Sequence, residues 1–251
     1  IRDSDRMSPD AGVDYSGVVG ADNWGLGDFG KGTASHGNLI AIGDSNQDRR
    51  VVHVFDVSTD THQYSVLDHL NVTWSRFGSN IMINDDYLVI GAPQGTASNG
   101  VQYAGLVHIY NVSDGSFVRT IEEPTPFDGA DFGGEPGKRS FDVNPSGTKI
   151  VIGAPEGGRG RMYLFDMATG AMEQEFIKTS GDEGLFGQQA RISGNHVACF
   201  AKPQYTIAIY DISDGSVSVK EINLPTRYGR MAFDGNTVAA AAPSMSGGYN
   251  R

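Results

Sequence analysis

Apolar residues fall in short runs of four to six, separated by clusters of Gly, Asn, Asp, Ser and Pro, from about residue 29 to residue 243. Runs this short, bounded by turn residues, predict β-strands. No stretch shows the 3.6-residue period of an amphipathic helix over helical length. Two of the runs are nearly identical: DYLVIGAP at 86–93 and TKIVIGAP at 148–155. That likeness calls for a search for a longer repeat.

An aromatic-Gly pair recurs at Phe29-Gly30, Phe77-Gly78, Phe132-Gly133, Phe186-Gly187 and Tyr228-Gly229, 42 to 55 residues apart. An apolar run follows each pair: LIAIGD (39–44), LVIGAP (88–93), IVIGAP (150–155), ACFAKP (198–203) and AAAAP (239–243). Four of the five repeats carry a second marker, an apolar run ending in an aromatic and then Asp or Asn: VVHVFD (51–56), LVHIYN (106–111), RMYLFD (161–166) and TIAIYD (206–211). Three of these lead into turns with Gly, namely VSDGS, MATGA and ISDGS.

Each repeat therefore predicts four strands, A to D. Strand A carries the aromatic-Gly, strand B the Gly-Ala-Pro, strand C the aromatic-Asp, and strand D a stretch such as SFVRTIEE (116–123). Gly and Asn in the A–B turns supply positive φ for hairpins. Pro ends strand B because it has no N–H to give the ladder. Asp at the end of strand C can bond its own turn amides. Four-stranded antiparallel units at this period predict an all-β fold, a β-propeller of five blades. Residues 23–251 form the propeller, and residues 1–22, with YSGVV at 15–19, are an N-terminal segment placed to close the last blade.

Phe-Gly followed by Gly-Ala-Pro resembles the FG-GAP repeat of integrin α-subunit propellers and of many bacterial, algal and phage surface proteins. The resemblance covers roughly residues 24–248; it is specific in the second and third repeats and degenerate in the fourth (AKP) and fifth (AAP). In style it is nearest to arrays in virion and tail-fibre-like proteins. It implies surface display and adhesion or attachment. The integrin version often carries calcium loops of the form Asp-x-Asp-x-Asp-Gly. The corresponding turns here, INDDY (83–87), NPSGT (144–148), SGN (193–195) and FDGN (233–236), hold too few carboxylates for a cage of six to eight oxygens. Neither a metal nor a cofactor is expected.

Composition narrows the partners. The chain has 251 residues, 34 of them Gly, and a net charge of −11. Glycines so numerous and so evenly spread indicate many turns rather than one linker. An acidic chain without a basic stripe argues against nucleic acid. No run approaches the roughly 18 apolar residues of a membrane helix, so membrane insertion is not expected. Cys199 is the single cysteine, in the apolar run HVACFA, and reads as a small core residue. His53 and His108 occupy equivalent strand-C positions and read as parts of the repeat. Asn71 and Asn111 both begin Asn-x-Ser/Thr triplets, with Asn111 standing where other repeats have Asp.

In an antiparallel unit the A–B and C–D turns share one rim, and the B–C and D–A connections share the other. The second rim carries the long segments 94–105, 123–134, 156–161 and 179–187. Binding residues gather on loops held by a rigid scaffold, so the candidate contacts are Tyr103, Asp128, Asp131, Arg159, Arg161, Asp182, Glu183 and Tyr205. Tyr and Arg suit interface anchors, and carboxylates beside an aromatic can grip sugar hydroxyls. The expected partner is a protein or glycan on a host or neighbouring surface, outside the cell or on a virion, with assembly into a larger virion or appendage complex. Catalysis is not expected. The alternatives are a glycan hydrolase using two of Asp128, Asp131, Asp182 and Glu183, and a purely architectural module.

Overall fold

The structure is a computed structural model that describes residues 29–45, 50–70, 72, 74–134, 139–156, 160–177, 186–201, 206–213, 219–224, 230–235 and 237–241. The chain divides into two compact units, Ile1–Arg139 and Ser140–Arg251. The expected N-terminal segment 1–22 lies outside the described residues.

The first unit holds two four-stranded sheets. One comprises β1 (Phe29–His36), β2 (Leu39–Asp44), β3 (Val51–Asp56) and β4 (Thr61–Leu67). The other comprises β5 (Asn80–Ile83), β6 (Tyr87–Ala92), β7 (Leu106–Asn111) and β8 (Phe117–Glu122). The second unit repeats the plan in β9 (Phe141–Val143), β10 (Lys149–Ala154), β11 (Arg161–Asp166) and β12 (Met172–Phe176). A further sheet follows in β13 (Gln188–Ser193), β14 (His196–Ala201), β15 (Thr206–Asp211) and β16 (Val219–Asn223). Two strands of a fifth sheet are described, β17 (Arg230–Asp234) and β18 (Thr237–Ala241). Strands pair with their chain neighbours, always antiparallel, and the described residues contain no helix.

The repeated sequence yields a repeated register. The first residue of strand B always faces the closing Asp or Asn of strand C: Leu39 with Asp56, Tyr87 with Asn111, Lys149 with Asp166, and His196 with Asp211. In three sheets the C–D pairing then shifts immediately before the aromatic, at Phe55, Tyr110 and Phe165. The closing Asp turns back on its own loop. Asp56 Oδ1 accepts from the Ser58 amide at 2.8 Å and the Ser58 hydroxyl at 2.6 Å, and Asp166 with Thr169 and Asp211 with Ser213 repeat the motif. These hydroxyls, then the amides, hold the three carboxyls below the usual carboxylate range. Their contribution to stability is therefore present above the unfolded carboxylate pKa and is lost as pH falls through the lowered value. Where the repeat has Asn111, its amide donates to Ser116 Oγ and Asp114 receives the turn amide instead.

Strands B and C are buried along nearly their whole length, while D strands such as β12 are largely exposed. This matches middle strands covered on both faces. In the fifth sheet β18 is mostly exposed, unlike β6 and β10.

The aromatic-Gly pairs of the second and fourth repeats lie just ahead of their strands rather than within them, and they join neighbouring sheets. Phe77 is 0% exposed, in one cluster with Val52 and Val54 of the first sheet and Leu88, Leu106 and Tyr110 of the second. Phe186 is 1% exposed, among Val151, Met162 and Leu164 on one side and Ala190, Val197 and Tyr210 on the other. The glycine after each ring meets the Gly of strand B in the preceding sheet. A β-carbon on Gly43 would stand 2.0 Å from the Gly78 carbonyl oxygen, and one on Gly153 would stand 1.9 Å from that of Gly187. Only a residue without a side chain fits there.

Substitution should separate this packing from ordinary turn strain. Gly153→Ala collides with backbone, and over-packing of this kind is expected to cost about 3 kcal/mol. Gly194, at φ +55° with open space around it, should cost about 1–2 kcal/mol as Gly194→Ala. Urea denaturation of the two variants checks the order, and equal losses would mean the glycine contact is not what matters.

Candidate functional site

In the first unit, four second-rim segments are joined by backbone hydrogen bonds. The amide of Asp68 donates to Arg50 O at 3.1 Å, that of Gln94 to Ser75 O at 3.1 Å, and that of Phe132 to Ala104 O at 3.0 Å. Inside them, Gly105 N donates to Gly95 O at 3.1 Å and Ala97 N to Val101 O at 2.9 Å. The buried Asp68 carboxylate ties loop 68–79 to itself, accepting from Ser75 Oγ at 2.7 Å and from the Leu70 amide at 3.1 Å. Glu122 accepts from the amide and hydroxyl of Ser98, at 3.0 and 2.9 Å, and so holds loop 93–105. Asn80 Nδ2 donates to the carbonyls of Gly133 and Gly134, at 3.0 and 2.9 Å, anchoring the end of loop 123–134. Loops bonded this way form a firm platform.

The platform displays what a core would normally hide. Of nine exposed large hydrophobics among the described residues, five stand on or beside these loops: Leu67, Leu70, Trp74, Tyr103 and Phe127. Trp74 is 56% exposed, Phe127 51% and Tyr103 44%. Five residues here adopt left-handed backbone without being glycine: Arg50 (φ 45°), Trp74 (71°), Arg76 (55°), Tyr103 (52°) and Asp131 (51°). Such conformations cost about 1–3 kcal/mol each and gather at functional sites. The opposite rim of this unit shows only Val57 and Phe117 among the nine.

The expected contacts divide accordingly. Tyr103, the exposed Asp128 and the half-buried Asp131 stand on two loops bonded to each other. Arg161 instead opens strand β11, with Nη1 3.4 Å from Tyr163 Oη and Nε 3.7 Å from Glu175 Oε1. Arg159, Asp182, Glu183 and Tyr205 lie outside the described residues. Sequence reading missed Trp74, Phe127 and Leu70. The available signal was a Trp inside the turn-rich segment between two strand runs.

Other residues singled out in the sequence lie within the sheets. Cys199 is buried in β14. His53 and His108 are each buried on strand C and bond a hydroxyl directly across on strand D: His53 Nδ1 to Ser65 Oγ at 2.8 Å, and His108 Nδ1 to Thr120 Oγ1 at 2.9 Å. Burial, then the neighbouring His69, pushes His108 down to about 3, so it is neutral at ordinary pH. In two A–B turns an asparagine accepts its own turn's amides, while Asp85 of the second sheet's turn meets His36 Nε2 of the first at 2.8 Å. Asn84 Oδ1 accepts from the amides of Asp86 and Tyr87, and Asn144 Oδ1 from those of Thr148 and Lys149. Among the described residues no group of three or more His, Cys, Asp or Glu is placed to hold a metal ion.

No family model matches the chain, and no curated protein matches it in sequence. Among solved structures it is similar to the Dos1 propeller, with a TM-score of 0.57 and 17% identity over 83% of this chain and 52% of that one. It is also similar to hydrazine synthase of Kuenenia stuttgartiensis, with a TM-score of 0.48 and 13% identity over 77% of this chain and 53% of that one. The chain spans about half the length of each. With its repeated antiparallel sheets, the likeness to the Dos1 propeller makes this an all-β protein of the β-propeller class.

Asp68 offers a test of the platform. In Asp68→Ala the Ser75 hydroxyl and Leu70 amide lose their acceptor, at an expected cost of about 1–3 kcal/mol. Amide exchange should quicken across residues 69–79 while β6 and β7 stay protected. Unchanged exchange in that loop would show that the carboxylate does not hold it.

Proposed function

We propose that the chain is an FG-GAP-type propeller acting as a non-enzymatic binding module, displayed on a virion or cell surface. It engages a protein or glycan through the second-rim loops of its first unit, in adhesion or attachment as part of a larger assembly. The observation that carries this reading is the concentration of Trp74, Tyr103 and Phe127, all exposed, on loops tied to one another. Rigid aromatic anchors on a preformed platform bind at low entropic cost. The FG-GAP part is supported by the contact of Gly78 with Gly43 and of Gly187 with Gly153, which gives the two halves of the motif a common purpose.

A glycan-array screen of the purified chain, with turnover of bound sugars followed over time, tests the proposal. The expected result is binding without cleavage, weakened at least tenfold by Trp74→Ala, a loss of about 1.4 kcal/mol or more. Cleavage of a bound glycan would overturn the non-enzymatic reading. Binding unaffected by Trp74→Ala and by Tyr103→Ala would remove the site from this rim.

A further inference from the structure

The first sheet gathers two imidazoles on one hydroxyl. His53 Nδ1, from β3, lies 2.8 Å from Ser65 Oγ on β4, and His62 Nε2, also on β4, lies 2.8 Å from the same oxygen. The two rings meet edge to face, with centroids 5.9 Å apart. Phe55 packs against His62 at 5.2 Å and Phe29 against His53 at 6.5 Å, which limits the freedom of both rings. His53 is buried, His62 half-buried and Ser65 exposed, so the point of convergence faces solvent.

The second sheet shows what the repeat itself requires. There His108 bonds Thr120 across the strands, as His53 bonds Ser65. Phe117 occupies the position of His62, pairing with Tyr110 as His62 pairs with Phe55. The neighbouring imidazole, His69, is directed to Tyr110 Oη at 3.3 Å rather than to Thr120. One histidine therefore satisfies the cross-strand pair, and the repeat gives no reason for the second nitrogen at Ser65.

We propose that His53 Nδ1 and His62 Nε2 bind a divalent transition-metal ion of the zinc and copper class at the point where both now meet Ser65 Oγ. Hydrogen bonding of both rings to one oxygen means that both nitrogens point at a common region. Metal–imidazole bonds of about 2.0–2.1 Å put the ion in the place that Ser65 Oγ now holds between the two nitrogens, so the exposed serine hydroxyl swings aside when the ion binds. Imidazole suits zinc and copper, whereas calcium and magnesium prefer a cage of oxygens. Water reaches the exposed side and completes the coordination.

The test is a titration of the chelator-stripped full chain with Cu2+ and with Zn2+, together with electron paramagnetic resonance at one equivalent of Cu2+. The expected result is one saturable site whose copper spectrum shows coupling to two imidazole nitrogens. His62→Ala, a change at a partly exposed ring, should weaken binding more than about tenfold and leave one coupled nitrogen. His69→Ala should change neither, and Ser65→Ala should keep the two-nitrogen spectrum. Wild-type affinity in His62→Ala would place the ion on another histidine and overturn the proposal, as would the absence of saturable binding to the unmodified chain.

Discussion

The architecture depends on a backbone-to-backbone contact at two glycines. Where the chain enters a new sheet, the carbonyl of the glycine after the buried aromatic presses on the strand-B glycine of the sheet before. The oxygens of Gly78 and Gly187 occupy the space that a β-carbon on Gly43 or Gly153 would need. The ring beside each contact, Phe77 or Phe186, fills the gap between the two sheets, and burial of a Phe side chain is worth about 1.5–3 kcal/mol. Glycine lets the backbones close in, and the phenyl ring supplies the apolar area that rewards them for doing so. Neither residue accomplishes this alone, which is why the two are repeated together.

That packing decides which parts of the chain are free to vary. Strands B and C are buried on both faces and keep the same register from sheet to sheet, and the turns closed by Asp56 and Asp166 are short and bonded to those carboxylates. Variation is left to the connections that carry the chain from B to C and from D to the next A. In the first unit those connections are long, yet they bond to one another at Arg50, Ser75 and Ala104. Exposed rings and left-handed residues are thereby held on a hydrogen-bonded framework. Such residues belong to recognition more readily than to folding.

Much of this was legible in the sequence because it is local. Runs ending in Gly-Ala-Pro predicted strands that stop at Ala92 and Ala154, and the aromatic-Asp marker predicted strands ending at Asp56, Asn111, Asp166 and Asp211. The equivalence of His53 and His108 followed from position alone. Contacts across sheets were not legible. Asn80 reaches Gly133, Gln189 accepts the Met231 amide, and Ser193 accepts that of Gly235, over separations where no local pattern marks the partner. Trp74 escaped notice for a related reason: whether a loop side chain is covered depends on how the adjoining loop folds, here the one that bonds Ser75. Arg161 falls in the sequence both at the end of the segment 156–161 and at the start of the run RMYLFD, and the β10–β11 ladder, which extends as far as its pairing with Ala154, settles it as a strand residue.

Native-state hydrogen exchange tests the central claim most directly. The amides that bridge sheets in the second unit, Ile192 to Asp142 Oδ2 and Met231 to Gln189 Oε1, can be compared with the Val151 amide inside a single sheet. If contacts between sheets hold the structure, all three exchange through one cooperative opening, with free energies within about 1 kcal/mol of one another. Bridging amides that exchange several kcal/mol more easily than Val151 would show that each sheet is stable by itself, and would contradict the account.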